Sequence, residues 1–388
     1  MTAVGFSSIF PFLPLYVGSL GSSSGLSIEL LAGLVYSAQA FSMMIASPIW
    51  GALADRFGRK IMVERSMFGG AVLLLLMAFV QSAEQLVVLR ALQGLITGTM
   101  AASSALIAAS IPRRKIGFAM GMLQVAIGLG IAVGPLIGGA VADLYGYRVS
   151  FFITSGLMVI SGTMVLFGVK EDFSPPERTT SISSAMLADW QKVLTTQGIP
   201  ATFGIRFLSQ IGRMMVLPVI PLFLLSIMPG NERLNTFNGL VIGAGSAATT
   251  LSAVFLGRWG DRIGHRKVLI PSAIAAGVLY TCMALVITGW QLLSVQVLVG
   301  IAMGGIMPIV SALLANFSMS GEEGAVYGLD HSISAGGRAI APILGAALAA
   351  AFSMRATFIA CGIVFLFSAM FAVVKLPKPE QAKLPNII

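Results

Sequence analysis

The chain has 388 residues, of which 56% are hydrophobic and 10% are charged, and its mean hydropathy is +0.91. Soluble domains carry about 25% charged residues, so this composition excludes an ordinary soluble protein and predicts an all-α membrane protein. The net charge of +9 does not indicate nucleic-acid binding, because the basic residues alternate with membrane-length apolar runs.

Taken in chain order at about 20 apolar residues per crossing, the sequence predicts twelve transmembrane helices. They span residues 2–20, 28–54, 61–80, 85–110, 117–142, 148–169, 197–228, 235–257, 267–288, 290–317, 324–350 and 354–375. The interval 170–196 is polar and is interpreted as a cytoplasmic linker between a first half, 1–169, and a second half, 197–375. Residues 376–388 form a predicted cytoplasmic tail.

The loops on one side of the predicted bundle are rich in lysine and arginine, whereas those on the other side hold only Arg148, Arg233 and Arg355. Cytoplasmic loops carry the excess of positive charge. Both termini are therefore predicted to be cytoplasmic, as an even number of crossings requires.

The two halves repeat each other in sequence. The hairpin Gly51–Lys60 returns as Gly257–Lys267, and Gly134-Pro135 aligns with Ala341-Pro342 at an offset of 207 residues. Two six-helix halves in the same orientation are typical of secondary transporters that bind their substrate between the halves.

The repeat also predicts a truncated first helix. Helix seven begins about twenty residues before Pro218, whereas its counterpart Pro11 has only ten residues before it. We interpret this as a missing or mis-assigned start, and the alternative is a naturally short helix in a thinner bilayer.

The hairpin after the second helix combines glycines, which permit a tight turn, with a carboxylate that the helix dipole disfavours at that position. We interpret it as a latch that closes one conformation; the alternative is a solvated charge cluster that only sets topology. The residues assigned to this gating role are Gly51, Asp55, Arg56, Gly58, Arg59 and Lys60, with Gly257, Asp261, Arg262 and Gly264 in the second copy.

Three stretches resemble motifs of the major facilitator superfamily. Gly51–Lys60 resembles its loop motif, Leu89–Gly94 its fourth-helix motif, and Gly128–Gly139 the fifth-helix motif of its drug:proton antiporters. The resemblance covers essentially the whole chain. It implies alternating access with proton-driven export, a contact of Asp55 with the start of helix eleven, and a part for Arg90 in proton transfer.

In the fifth helix, three glycines spaced by four residues lie on one face and permit close contact with a neighbouring helix, and a proline permits bending. The sequence does not distinguish static packing from a hinge. The residues of this motif are Gly130, Gly134, Pro135, Gly138 and Gly139.

Proton coupling requires a titratable group inside the membrane. Asp330 and His331 lie inside helix eleven, and Arg338 follows eight residues after Asp330, close to the same face. A carboxylate that exchanges an arginine partner for a proton is a coupling device, and the alternative is a structural ion pair. Arg90 is a second candidate for coupling, unless it only reaches from a shallow depth to the interface.

Further arginines predict an electropositive substrate cavity that favours anionic or zwitterionic compounds. Arg206, near the cytoplasmic end of helix seven, has the alternative of reaching to the interface. The residues assigned to the cavity are Arg213, Arg338, Arg206, Gln93 and Tyr16.

The sequence shows no Walker or HExxH motif, no nucleophile–base pair and no CxxC spacing, so we predict neither enzymatic activity nor a metal or other cofactor. The prediction is a monomeric, proton-gradient-driven exporter of drugs or small amphipathic compounds in a bacterial cytoplasmic membrane. Its partners are the substrate, protons and the lipid bilayer. The alternatives are a carrier of an anionic or sugar-like metabolite, including an uptake symporter, and a non-transporting membrane sensor.

Overall fold

The computed structural model describes residues 1–97, 103, 106–107, 116–169, 171, 193–318 and 323–377. Helices are the regular elements of these ranges, which confirms the all-α prediction. The first half contains α1 (Thr2–Ser8), α2 (Leu13–Leu20), α3 (Ile28–Phe57), α4 (Arg59–Met77), α5 (Ala83–Ile96), α6 (Ile116–Tyr145) and α7 (Tyr147–Gly168). The second half contains α8 (Ile199–Met215), α9 (Val219–Ile227), α10 (Leu234–Ile263), α11 (His265–Met283), α12 (Gly289–Gly304), α13 (Met307–Phe317), α14 (Glu323–Ala351) and α15 (Met354–Lys375).

These helices form the twelve predicted rods, because α1–α2, α8–α9 and α12–α13 are each one rod with a break. The described ranges hold nine spans that are long and apolar enough to cross a membrane, or ten when α1 and α2, which meet at 43°, count as one. Two rods are not counted among these spans: α4 begins with charged residues, and α5 is described only to Ile96.

The breaks follow from proline, which has no amide hydrogen to continue a helix. Pro14 lies at the start of α2, Pro218 precedes α9, and Pro308 lies at the start of α13. The first two breaks are related by the sequence repeat, so the duplication extends to the kinks.

Helix packing repeats between the halves. In the first half α3 packs on α5, α4 on α7 and α1 on α6; in the second half α10 packs on α12, α11 on α15 and α8 on α14. Each pair in the second list is the counterpart of one in the first. The halves meet through two further repeat-related pairs, α3 with α14 and α6 with α10.

We call the end of the bundle with the α3–α4 and α10–α11 turns the hairpin face, and the end where α6 finishes and α10 begins the far face. Gly58 and Gly264 make the two turns with φ of 98° and 102°, which confirms the predicted need for glycine at Gly58. The backbone amides of Arg59 and Lys60 donate to the Glu171 carboxylate at 3.0 and 2.8 Å. The side chains of Asp55 and Arg56 and the surroundings of Gly51, on which the predicted latch depends, lie outside the described part.

The outer surface of the bundle is apolar. Phe167, Leu285 and Phe255 are 80%, 78% and 70% exposed, and many other large apolar side chains point outward. Exposing so continuous an apolar surface to water is unfavourable, whereas lipid chains solvate it. The chain is a multi-pass membrane protein.

Candidate transport site

A buried ion pair joins three helices of the second half. Arg206 of α8 donates from Nε to Asp330 Oδ1 of α14 at 2.7 Å, and from Nη2 to Ser311 Oγ of α13 at 2.6 Å. Its Nη1 reaches the carbonyl of Met307 at 3.4 Å. Arg206 is 7% and Asp330 9% exposed, so the charges are held by each other and by fixed polar groups.

The pairing differs from the expectation that Arg338 would be the partner of Asp330. Eight residues of α-helix separate these two side chains by about 12 Å along the axis, which is too far for direct contact. Arg206, on the neighbouring helix at the same depth, takes the place instead. His331 is exposed and does not share the buried pair.

A second positive layer lies about two turns deeper. Arg213 follows Arg206 by seven residues in α8, and Arg338 follows Asp330 by eight in α14, so both cations lie deeper on two helices that pack together. The side chain of Arg213 is exposed to solvent, although other helices pack on α8. Nε of Arg338 is buried and has no hydrogen-bond partner in the described ranges. These two cations could hold an anionic group.

Arg90 is fully buried in the first half and does not reach to the interface. It donates from Nη1 to Gln93 Oε1 at 2.7 Å and from Nε to the Val35 carbonyl at 3.3 Å, and it lies over the Tyr36 ring at 5.9 Å. Within the described part of the chain, Arg90 Nη2 and Gln93 Nε2 have no acceptor. Gln93 therefore positions the arginine from a packed site and does not line an open cavity.

Tyr16 likewise lies in packed protein, not in the predicted substrate cavity. Its ring packs against Tyr147 and Phe151 at 5.3 and 5.4 Å between centroids, and its hydroxyl donates to the Met77 carbonyl at 3.4 Å. The predicted cavity residues thus separate into two groups: Arg213 is exposed and Arg338 partly buried, whereas Arg206, Gln93 and Tyr16 are packed around other contacts.

The fifth-helix glycines, which lie in α6, make the predicted close contacts. Gly130, Gly134 and Gly138 face the backbone of α1 so closely that a β-carbon at each position would clash. Gly139 faces the backbone of Asn235 in α10, and Pro135 lies opposite Gly239 of the same helix. The motif therefore joins α6 both to its own half and to the other half.

Asp143 and Asn238 are functional candidates that the sequence argument missed. Asp143 ends α6 and binds the start of α10, while Asn238 donates to the Pro11 carbonyl of the first half. The only sequence signal was an acidic residue at a helix C-terminus, where the dipole disfavours it. Among the described residues, His, Cys, Asp and Glu form no group of three that could hold a metal ion.

Comparison with known proteins places this geometry in context. The family model described as Major Facilitator Superfamily matches residues 1–205 and 202–387. Similar proteins include Multidrug resistance protein MdtG of Enterobacter lignolyticus, with 34% identity over 99% of this chain and 92% of the relative. The proteins of that name from Salmonella arizonae and Serratia proteamaculans are each 35% identical over 96% of this chain, and the matches cover 92% and 90% of those relatives.

Proposed function

Because this chain belongs to the Major Facilitator Superfamily, we propose that it exports drugs or other small amphipathic compounds in exchange for protons. A secondary transporter of small molecules follows from the family and the helical architecture. The narrower proposal is supported by relatives named multidrug resistance proteins that are similar along nearly the whole chain.

In the proposed orientation the hairpin face and both termini are cytoplasmic, since the basic residues concentrate in the loops of that face. The bacterial relatives favour the bacterial cytoplasmic membrane as its location. The proposed functional unit is a monomer. Residues 1–169 rock against 197–375, so that the cavity between them opens to one face at a time.

The ion pair between Arg206 and Asp330 is the observation that carries the coupling proposal. Asp330 is the most buried carboxylate in the described part of the chain, and it lies about 10 Å along α14 from the start of that helix. Protonation of Asp330 would remove its attraction for Arg206 and free the arginine to change partners. The ionised Asp330 carboxylate and an anionic group of the substrate would then be alternative ways to balance the positive charge of Arg206.

The cavity charge favours substrates that carry an anionic group. Arg213 and Arg338 lie about 10–12 Å deeper than the ion pair, and hydrogen bonds between charged groups are stronger than neutral ones. This observation also supports a second candidate function, a carrier of one anionic metabolite, which would use the same two arginines without broad substrate tolerance.

Everted membrane vesicles with a pH-sensitive dye test the proposal. Cationic, neutral and anionic compounds are added in turn, and substrate-induced proton release from the lumen indicates antiport. We expect Asp330→Asn to abolish the dependence of transport on the pH gradient, and Glu232→Gln, in an exposed loop, to leave it unchanged. A gradient dependence in Asp330→Asn equal to that of the wild type would assign coupling to another group.

The same vesicles separate the two candidate functions. Responses to several unrelated compounds support the exporter, and a response to a single anionic compound supports the metabolite carrier. We expect Arg213→Gln to raise the apparent KM for anionic compounds by roughly tenfold, as the loss of a hydrogen bond to a charged group implies, with little effect on neutral compounds.

A further inference from the structure

Helix α10 starts at the far face without a cap of its own. Four of the other five helices that begin there have one: Ser27, Ser82, Thr288 and Ser353 each accept a backbone N–H from the first turn of the helix that follows, whereas α7 follows Gly146 and has none. The residue before α10 is Arg233, whose side chain makes no such bond. The first N–H groups of α10 therefore depend on an acceptor from elsewhere.

That acceptor is Asp143 of the other half. Its Oδ1 accepts from the backbone N and Nδ2 of Asn235 at 3.1 and 2.7 Å, and its Oδ2 accepts from the backbone N and Oγ1 of Thr236 at 2.7 and 2.6 Å. A carboxylate at a helix N-terminus both satisfies free donors and complements the positive end of the dipole. The cap of α10 thus exists while α6 and α10 are together at the far face.

A second contact crosses the halves one turn further along α10. Nδ2 of Asn238 donates to the carbonyl of Pro11, in the break between α1 and α2. The adjacent carbonyl of Phe10 accepts from the Tyr36 hydroxyl of its own half at 3.0 Å. The start of α10 is therefore bound at two separate points of the first half.

The device has no counterpart in the repeat. Asp143 aligns with Ala350 at the offset of 207 residues, and α3, the counterpart of α10, is capped by its own Ser27. An inherited packing feature would be expected at both interfaces. The asymmetry singles out the α6–α10 interface.

We infer that Asp143 is a positioning residue for the conformational step of transport: it stabilises the state closed at the far face by capping α10 from the opposite half. The inference rests on the alternating access proposed above. Opening of the far face separates the halves and leaves two backbone N–H groups of α10 without their acceptor. Because the hydrogen bonds lie between the halves, they bias the equilibrium between conformations as well as the stability of either half.

The test measures distances between spin labels on the far face, in a variant in which Cys282 is replaced by serine and Cys361 by alanine. Labels at Gln81 and Glu232, both exposed, report the separation of the halves. Asp143→Asn removes the negative charge and one of the two acceptor oxygens. We expect it to raise the ratio of open to closed far-face populations by roughly two- to fivefold, the range that loss of a charge at a helix N-terminus implies. Asp143→Glu, which keeps the carboxylate, should restore most of the closed population.

Glu84→Gln is the matched control, because Glu84 also accepts several hydrogen bonds at the far face but from Ser22, Ser23 and Ser24 of its own half. It should leave the distances unchanged. An unchanged distribution in Asp143→Asn overturns the inference, as does an equal shift in both variants. If Asp143→Asn does not fold, Asn238→Leu replaces it and must shift the populations in the same direction.

The wild-type distribution separates this inference from its premise. A single far-face distance that does not respond to pH or to transported compounds would overturn alternating access, and the capping role with it. If the wild-type distance responds but Asp143→Asn has the same distribution as the wild type, the capping role alone is overturned.

Discussion

Replacing one member of the buried ion pair should destabilise the protein far more than replacing both members together. In Asp330→Ala, the guanidinium of Arg206 stays 7% exposed and loses its Nε acceptor at 2.7 Å, while Ser311 remains. Breaking a buried pair in this way costs about 3–5 kcal/mol. Arg206→Met leaves the Asp330 carboxylate equally uncompensated.

The expected change in melting temperature follows from chain length. An unfolding entropy of about 2.1 cal/mol/K per residue over 388 residues gives about 0.8 kcal/mol per kelvin. A loss of about 3 kcal/mol in either single variant therefore lowers Tm by about 4 °C. Asp330→Ala with Arg206→Met leaves no unpaired charge and should lower Tm by about 2 °C or less, since replacing a whole buried pair is often nearly neutral.

The assay is thermal unfolding in detergent, followed with a thiol-reactive fluorescent dye. Cys361 is fully buried and becomes reactive on unfolding, whereas the exposed Cys282 is replaced by serine to remove the background. Glu232→Gln serves as the surface control. If the double variant loses the sum of the two single losses, the side chains act independently and the ion pair does not stabilise the charges as argued.

Two glycine predictions follow from the backbone. A β-carbon at Gly138 would meet the backbone carbonyl of Ser8, so Gly138→Ala should lower stability by about 1–3 kcal/mol by forcing α1 and α6 apart. Gly156→Ala is the control, because the space around Gly156 is open. Equal melting temperatures of the two variants would contradict the close packing. Gly58→Ala should lower stability by about 1–2 kcal/mol because φ is 98° there. Gly257→Ala, at an uncrowded position inside α10, should be neutral or stabilising. The same thermal assay checks both variants, and an unchanged melting temperature in Gly58→Ala would refute the requirement for glycine in the turn.

Local and periodic features were readable from the sequence. The twelve rods and the glycine at the α3–α4 turn depend on apolar run length and backbone stereochemistry, which each segment carries in its own residues. The repeat predicted the parallel packing of the halves, because two copies of one pattern bury equivalent faces. The contact between α6 and α1 was half predicted: the glycine spacing indicated a close neighbour without naming it.

The partners of the charged side chains were decided by tertiary structure. Spacing along α14 placed Asp330 and Arg338 on one face, but two helical turns separate them, and Arg206 reaches the carboxylate from another helix at the same depth. Tyr16 and Gln93 carry polar atoms suited to a cavity, yet neighbouring helices enclose them.

Asp143 is the clearest case of a side chain whose partner is decided by tertiary structure. By itself it is an acidic residue at the unfavourable end of its own helix, and its sequence neighbours give it no role. It caps α10 because folding brings the end of one helix to the start of another that lies ninety-two residues away in sequence. The sequence determined which segments cross the membrane. Only the packing of the helices decided which charges meet, since hydrogen bonds and ion pairs depend on distance in space.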